Sequence, residues 1–200
     1  MSPLDGTSST SGDPRSAERS VTEQLRANTS ALRLSVKSLG KRKAISPIQL
    51  AEAAEGFGAE PQFISGSKRL FDTSAPPLKA VTAIQSDAVS YWRSVSLPFP
   101  EPAIRLIRRD RIDQIDDQLR AYRTELRRRA AELEVEFDAI KADAQSRLGT
   151  LYNPADYPES VASAFDLVWS YPNVEAPDYL RELSPNLYQE QCNLARERFD

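Results

Sequence analysis

The sequence predicts an all-α protein: an elongated helical bundle around one long, antiparallel-packed helix, preceded by a disordered tail. Residues 110–148 contain no proline or glycine, and their apolar side chains recur at spacings of three and four, which an α-helix brings to one face. Several Ser-Pro and Pro-Pro pairs stand just before other apolar stripes, as is typical of helix N-termini. With 200 residues, 40% of them hydrophobic, the chain is long enough for one main domain with a real core.

The N-terminal part is predicted to have little to bury. Residues 1–15 are rich in Ser, Thr, Gly and Pro, which predicts a disordered tail. Residues 16–45 are interpreted as an N-terminal helix and a basic linker, with Gly40 ending the helix. The apolar face of this helix consists of Val21, Leu25, Leu32, Val36 and Leu39. The basic residues of the linker are Lys41, Arg42 and Lys43. Their positive charges suit a helix C-terminus; the alternative interpretation is that they contact a nucleic acid.

Residues 46–200 are predicted to form a helical domain. Its first segments are a helix that starts at Ser46-Pro47 and closes at Gly56, an ordered loop over 57–73, a helix capped by Ser74 that ends before Pro98, and a proline-stiffened connection with a short extended piece at 104–107. The long helix follows at about 110–148, and Gly149 supplies its stop signal.

The long helix carries an apolar stripe that needs something to pack against. Eight of its residues are the candidate partner interface: Ile112, Ile115, Leu119, Tyr122, Leu126, Leu133, Phe137 and Ile140. The spacing skips one step of a strict heptad after Leu126, a stutter that straightens a coiled-coil contact line. The stripe is expected to contact either other helices of this chain or another molecule.

The C-terminal quarter is interpreted as two more helices. One starts at Pro158 and is ended by Pro172, and its stripe consists of Val161, Phe165, Val168 and Trp169. The other starts at Ser184-Pro185 and carries Leu187, Gln191, Leu194, Ala195 and Phe199. No stop signal precedes Asp200, so we expect that the pattern continues in a longer relative or that the chain is shortened.

Composition excludes several kinds of chemistry. The chain has no histidine and one cysteine, Cys192, which removes histidine bases, Cys-His nucleophiles, zinc sites of His and Cys, and internal disulfides. We therefore expect no enzyme activity, no cofactor and no metal. No apolar run is long enough to span a membrane, and residues 1–30 lack the apolar core of a signal peptide. The expected location is the cytoplasm.

Three polar motifs could carry chemistry, but each has a simpler interpretation. Ser65 and Lys68 match the S-x-x-K spacing of some serine enzymes, without the further motifs that such enzymes need. Asp113, Asp116 and Asp117 could gather Mg²⁺, yet carboxylates in a first helical turn ordinarily serve the helix dipole. The arginine run 127–129 lies between acidic residues, which favours a solvated face over a phosphate-binding patch.

Several turn motifs occur in a characteristic order. They are Gly66 to Arg69, Leu97 to Phe99, Arg105 to Ile107, and Asp156 to Pro158. With them, roughly residues 45–200 resemble a family of phage and bacterial proteins known only as domain of unknown function three-one-five-zero. The resemblance implies an elongated all-helical protein without established activity. It also implies an accessory role, since relatives are associated with neighbours that resemble ring-forming ATPases and von Willebrand-type adhesion domains.

The leading functional hypothesis is a non-enzymatic interaction or scaffold protein, accessory to an ATPase assembly, that binds a protein partner or itself. The alternative is a nucleic-acid-binding protein that uses the basic linker and the arginine-rich helix face. The two hypotheses predict different surfaces: the apolar stripe of the long helix for a protein partner, and Lys41 to Lys43 for a nucleic acid.

Overall fold

The computed structural model describes residues 24–174 and 179–198, and the predicted disordered tail at 1–15 lies outside them. Of the described residues, 61% are helical and 16% lie in strands, which form a four-stranded and a two-stranded antiparallel sheet. The prediction of an all-α protein is therefore wrong, and the fold is mixed α/β. Among the described residues, no helix is long and apolar enough to cross a membrane.

The elements follow one another in a mixed order. The strands are β1 (Thr29–Lys37), β2 (Arg42–Ala44), β3 (Ser67–Arg69), β4 (Leu97–Pro98), β5 (Ile104–Arg108) and β6 (Asp166–Ser170). The helices of four residues or more whose whole length is described are α1 (Pro47–Phe57), α2 (Pro76–Ser94), α3 (Ile112–Leu148), α4 (Tyr179–Leu183) and α5 (Pro185–Glu197). Residues 24–28 are also helical, and they run directly into β1.

The larger sheet has the strand order β4-β5-β1-β6. Strands β1 and β5 are antiparallel, with Thr29 opposite Arg108 and Arg33 opposite Ile104. Strand β4 joins the other side of β5, with Leu97 opposite Leu106. The smaller sheet consists of β2 and β3, which are antiparallel and far apart in the sequence.

The chain divides into two compact units. Of the described residues, one unit contains 24–33, Ser96–Ile112, 170–174 and 179–198, and the other contains Leu34–Val95 and Asp113–Trp169. In the first unit Ala31, Ile104 and Leu106 form a small buried cluster with Phe99 and Val174 beside it. The second unit has a larger core, in which α2, α3, the segment after β3 and the segment 157–167 contribute Leu78, Val81, Leu126, Leu133, Phe137, Phe71, Tyr157, Phe165 and Leu167.

Strand β1 occupies residues that the sequence assigned to a helix. Leu32 and Val36 are four residues apart, a spacing that suits a helical face and a strand face equally. Leu34 distinguishes the two structures, since it lies on the far side of a helix but on the same side of a strand as Leu32. Leu34 is 5% exposed, whereas Arg33 and Ser35 between and beside these leucines are exposed. Apolar and polar residues alternate over 32–37, and this alternation determines the structure here. The helical spacing of the longer segment does not.

The helix predicted from Pro158 is also absent, and this part of the prediction is wrong. Short 3-10 turns occupy Pro154–Asp156 and Ala162–Ala164, and β6 follows. Phe165 and Leu167 are buried while Val168 is 51% exposed, so the apolar pattern here has a period of two and not of 3.6.

The other helices lie close to their predicted spans, although Gly56, predicted to close α1, lies inside it, and Ala75 instead of Ser74 is the N-cap residue of α2. Helix α3 ends at Leu148, and Gly149 beyond it adopts a positive φ of 52°, the conformation that glycine takes most readily after a helix. Helices α1, α2 and α5 begin at the prolines that the sequence marked. The extended piece predicted at 104–107 is the strand β5.

Candidate interaction surface

Residues 41–69, which we call the arm, form a hairpin that encloses a helix within the second unit. Strands β2 and β3 pair at its base, and α1 and a 3-10 turn at Pro61–Phe63 lie between them. The Ser46 side chain accepts a hydrogen bond from the Gln49 amide and so caps α1. Gly58 ends the helix with φ +62°, and its amide donates to the carbonyls of Ala54 and Glu55.

Helix α1 packs against the rest of the arm through one side only. Ala54 is fully buried, and Leu50 is half-buried beside Gly66, where a Cβ atom would lie 3.5 Å from Leu50 Cδ2 and 3.0 Å from Ile45 Cδ1. Glycine at position 66 therefore permits the close approach of the β3 side of the hairpin to these apolar side chains.

Large apolar side chains of the arm are left in solvent. Ile48 is 74% exposed, and Phe57 and Phe63 are each 82% exposed. Elsewhere in the described residues an exposed fraction above 70% occurs only at single positions, Val135 at 86% and Leu183 at 78%, and Leu187 and Leu194 near the latter are 46% and 40% exposed. Three residues above 70% within a span of sixteen therefore make the arm the main concentration of strongly exposed apolar side chains in the described part of the chain.

A buried ion pair anchors the base of the arm. Lys68 Nζ lies 2.6 Å from Asp156 Oδ2, and the two side chains are only 6% and 8% exposed. This oxygen accepts no hydrogen bond of normal geometry, so the ammonium charge is what compensates it. Lys68 also donates to the Leu151 carbonyl, and Lys43 Nζ lies 3.6 Å from Asp156 Oδ1. The Lys68 ammonium, opposed by burial and assisted by the Lys43 charge, holds the pKa of Asp156 below its usual value of 3.8.

The helix of the arm has a separate attachment to the same loop. Gln49 Nε2 donates to the Thr150 carbonyl at 3.2 Å. The loop that follows α3 thus contacts both β3 and α1, and the arm is fixed at its base while its outer residues stay exposed.

The base of the arm is a ladder of opposed cations. Arg42 lies opposite Arg69 and Lys43 opposite Lys68 in the β2–β3 register. Asp156 compensates the lysine pair. Within the described part of the chain, the side chains of Arg42 and Arg69 form no ion pair or hydrogen bond, and both are exposed. Like charges directly opposite one another destabilise a sheet, so the arginine pair presents an uncompensated positive charge to solvent.

The stripe predicted as a partner interface lies mostly inside the protein. Its residues Ile115, Leu119, Leu126, Leu133 and Phe137 are at most 2% exposed, and Ile112, Tyr122 and Ile140 are half-buried. Leu126, Leu133 and Phe137 belong to the core of the second unit. Another molecule could contact these side chains only if that core were unpacked, so we do not place the interface there.

Lys68 and Asp116, one residue from each of two polar motifs of the sequence, are engaged in structural contacts. The Lys68 ammonium is held by Asp156 and the Leu151 carbonyl, while Ser65 is exposed. Asp116 accepts hydrogen bonds from Arg120 and from Trp169 Nε1, the latter at 2.6 Å. In residues 24–174 and 179–198 no group of three or more metal-ligating side chains occurs.

A second ionic cluster ties β6 to α3. Arg123 donates to both oxygens of Asp166 at 3.0 and 3.1 Å and stacks over the ring of Trp169. Burial raises the pKa of Asp166, but the hydrogen bonds and charge of Arg123 outweigh it, so the pKa is lowered overall. The arginine run beside it is solvated and paired: Arg128 and Arg129 both contact Glu125 and Glu132. The arginines on this face of α3 therefore have structural partners within the chain.

Sequence reasoning found Lys41, Arg42 and Lys43 but not the other half of the ladder. The signal was a second short basic group, Lys68-Arg69, which only the β2–β3 pairing places beside the first.

No protein-family model matches this chain, and no match was found among curated proteins or solved structures. The resemblance to the uncharacterised phage and bacterial family accordingly stays a prediction.

Proposed function

We propose that this chain is a non-enzymatic interaction protein and that the arm is its binding surface. The observation that carries the proposal is the exposure of Ile48, Phe57 and Phe63 on a segment whose base is fixed by the Lys68–Asp156 ion pair. The accessory role at an ATPase assembly remains a prediction about the partner.

The free energy available on this surface supports binding. Full burial of a phenylalanine or isoleucine side chain is worth about 1.5–3 kcal/mol, and aromatic residues are enriched where interfaces bind most tightly. Burial of the three exposed side chains against a partner would therefore release free energy that the isolated chain does not gain. A fixed base lowers the entropy lost when the arm is ordered against a partner.

Photo-cross-linking tests the proposal. Benzoylphenylalanine placed at position 63 should form adducts with a protein in the native host, because Phe63 is 82% exposed on the arm. The matched control carries the same group at position 135, where Val135 is 86% exposed on α3. Equal labelling from both positions, or no adduct from position 63, would refute the arm as the binding surface.

A second candidate function is nucleic-acid binding through the ladder. Arg42 and Arg69 are opposed, exposed and unpaired among the described residues, and Lys41 precedes them, so phosphates could compensate their charge. Fluorescence anisotropy with a labelled DNA duplex and an RNA strand would show binding that weakens steeply with salt and is lost in an Arg42→Glu/Arg69→Glu variant. Absence of binding at low salt would remove this candidate.

A further inference from the structure

We propose that the partner of the arm is a second copy of this chain, docked arm to arm about a two-fold axis beside Ile48. This inference rests on the proposed function, because it names the partner of the same surface.

The exposed side of α1 is suited to a close contact. Ile48, Ala51, Glu52 and Glu55 are all exposed and recur at spacings of three and four, so they share one face of the helix. The opposite side is used inside the arm by Ala54 and Leu50. The free face thus has an apolar residue near the helix start and two carboxylates one and two turns beyond it.

The arm carries unpaired charge of both signs at separate places. The side chains of Glu52 and Glu55 form no ion pair or hydrogen bond within residues 24–174 and 179–198, and the same is true of the side chains of Arg42 and Arg69. The arginines lie on the β2–β3 ladder, before the N-terminus of α1, while the carboxylates lie along the helix. The fold therefore holds opposite charges of one arm apart, where they do not compensate each other.

A two-fold axis between two copies brings the opposite charges together. When two α1 helices run antiparallel with Ile48 against Ile48, Glu52 and Glu55 of each copy extend along the ladder of the other. Each ion pair then occurs twice, an apolar contact lies at the centre, and the charged groups form the rim, as in typical interfaces. Two-fold dimers are also the commonest assemblies of soluble proteins.

Charge reversal with complementation tests the dimer by light scattering and sedimentation of the full chain. We expect a dimer in the micromolar range, and a rise of about tenfold or more in the dimer dissociation constant for Arg42→Glu/Arg69→Glu and for Glu52→Lys/Glu55→Lys. An equimolar mixture of the two variants should restore dimers, because every reversed pair then meets its complement. Glu136→Lys on α3, where Glu136 is exposed, is the control that should leave association unchanged.

Ile48→Ser should weaken the dimer, whereas Val135→Ser should not, since Val135 is 86% exposed, against 74% for Ile48, but lies on another element. A chain that stays monomeric up to about 0.5 mM, or a dimer indifferent to the reversals, would overturn the inference. Loss of duplex DNA binding in the arginine variant without restored dimers in the mixture would also overturn it, in favour of a nucleic acid.

Failure of the dimer and failure of the proposed function give different results. A monomeric chain that still forms a position-63 adduct with a different protein contradicts self-association but supports the arm as an interface. Adducts of twice the chain mass support both proposals.

Discussion

Replacement of Lys68 by methionine is the sharpest test of how the arm is anchored. Lys68→Met keeps the length of the side chain but leaves Asp156 as a carboxylate that is 8% exposed, with only Lys43 at 3.6 Å to compensate it. Breaking a buried ion pair from one side costs roughly 3–5 kcal/mol, and the remaining ammonium places the expected loss at about 3 kcal/mol. For a chain of this length that corresponds to a fall in Tm of about 6–12 °C.

Urea unfolding monitored by circular dichroism measures this loss. The control is the double variant Lys68→Met/Asp156→Leu, which should recover most of the stability, because apolar residues that replace both members of a buried pair are often neutral or stabilising. A loss below about 1 kcal/mol in the single variant, or no recovery in the double variant, would show that the pair does not anchor the arm.

The same pair has a defined dependence on pH. The folded pKa of Asp156 is below its usual value of 3.8, chiefly because of Lys68, so its stabilisation is present above that value and is lost as pH falls through the folded pKa. Lys68→Met removes the main lowering influence while burial still raises the pKa. The stability difference between wild type and variant should therefore begin to shrink before pH falls to about 4 and should shrink further below it, and an unchanged difference would contradict this assignment.

Substitutions at three further places, the core, the end of α1 and Trp169, have expected outcomes. Leu133→Ala, at a site with no exposure, should lower the free energy of unfolding by about 2–5 kcal/mol, whereas Val135→Ala should change it by less than about 0.5 kcal/mol. Gly58→Ala should destabilise α1 by about 1–2 kcal/mol because φ is +62°, while Gly56→Ala inside the helix, with open space around it, should stabilise it by about 0.5–1 kcal/mol. Trp169→Phe removes a hydrogen bond to a carboxylate of α3 and should lower the free energy of unfolding, measured by chemical denaturation, by about 1–3 kcal/mol. A glycine variant or a Trp169→Phe variant as stable as wild type would contradict the corresponding prediction.

Local signals in the sequence were sufficient for the helices. The proline starts at 47, 76 and 185 and the glycine after α3 act within a single turn, so their effect does not depend on distant residues. Strands require partners, and the partners are remote: Leu32 pairs with Arg105, and Arg42 with Arg69. Strands of three residues such as β2 are also too short to show a period.

The candidate site was only half predictable for the same reason. Lys41 to Lys43 are contiguous and visible as a basic group, but the opposing Arg69 enters only through long-range pairing. The exposure of Phe57 and Phe63 was not predictable, because large apolar residues are ordinarily interpreted as core. The stripe on α3 shows the converse, since its regular spacing reflects packing inside the chain.

Strands β2 and β3 also determine how the arm is connected to the rest of its unit. Ala44 and Ser67 stand opposite each other in the ladder, so the chain leaves for the intervening segment and returns from it at the same point. A segment with coincident ends can be lengthened, shortened or exchanged for a tight turn without moving the strands that hold it. Under the proposed function, recognition and folding are carried by separable parts of the sequence, and residues 45–66 can diverge in specificity while the core around α3 keeps its structure.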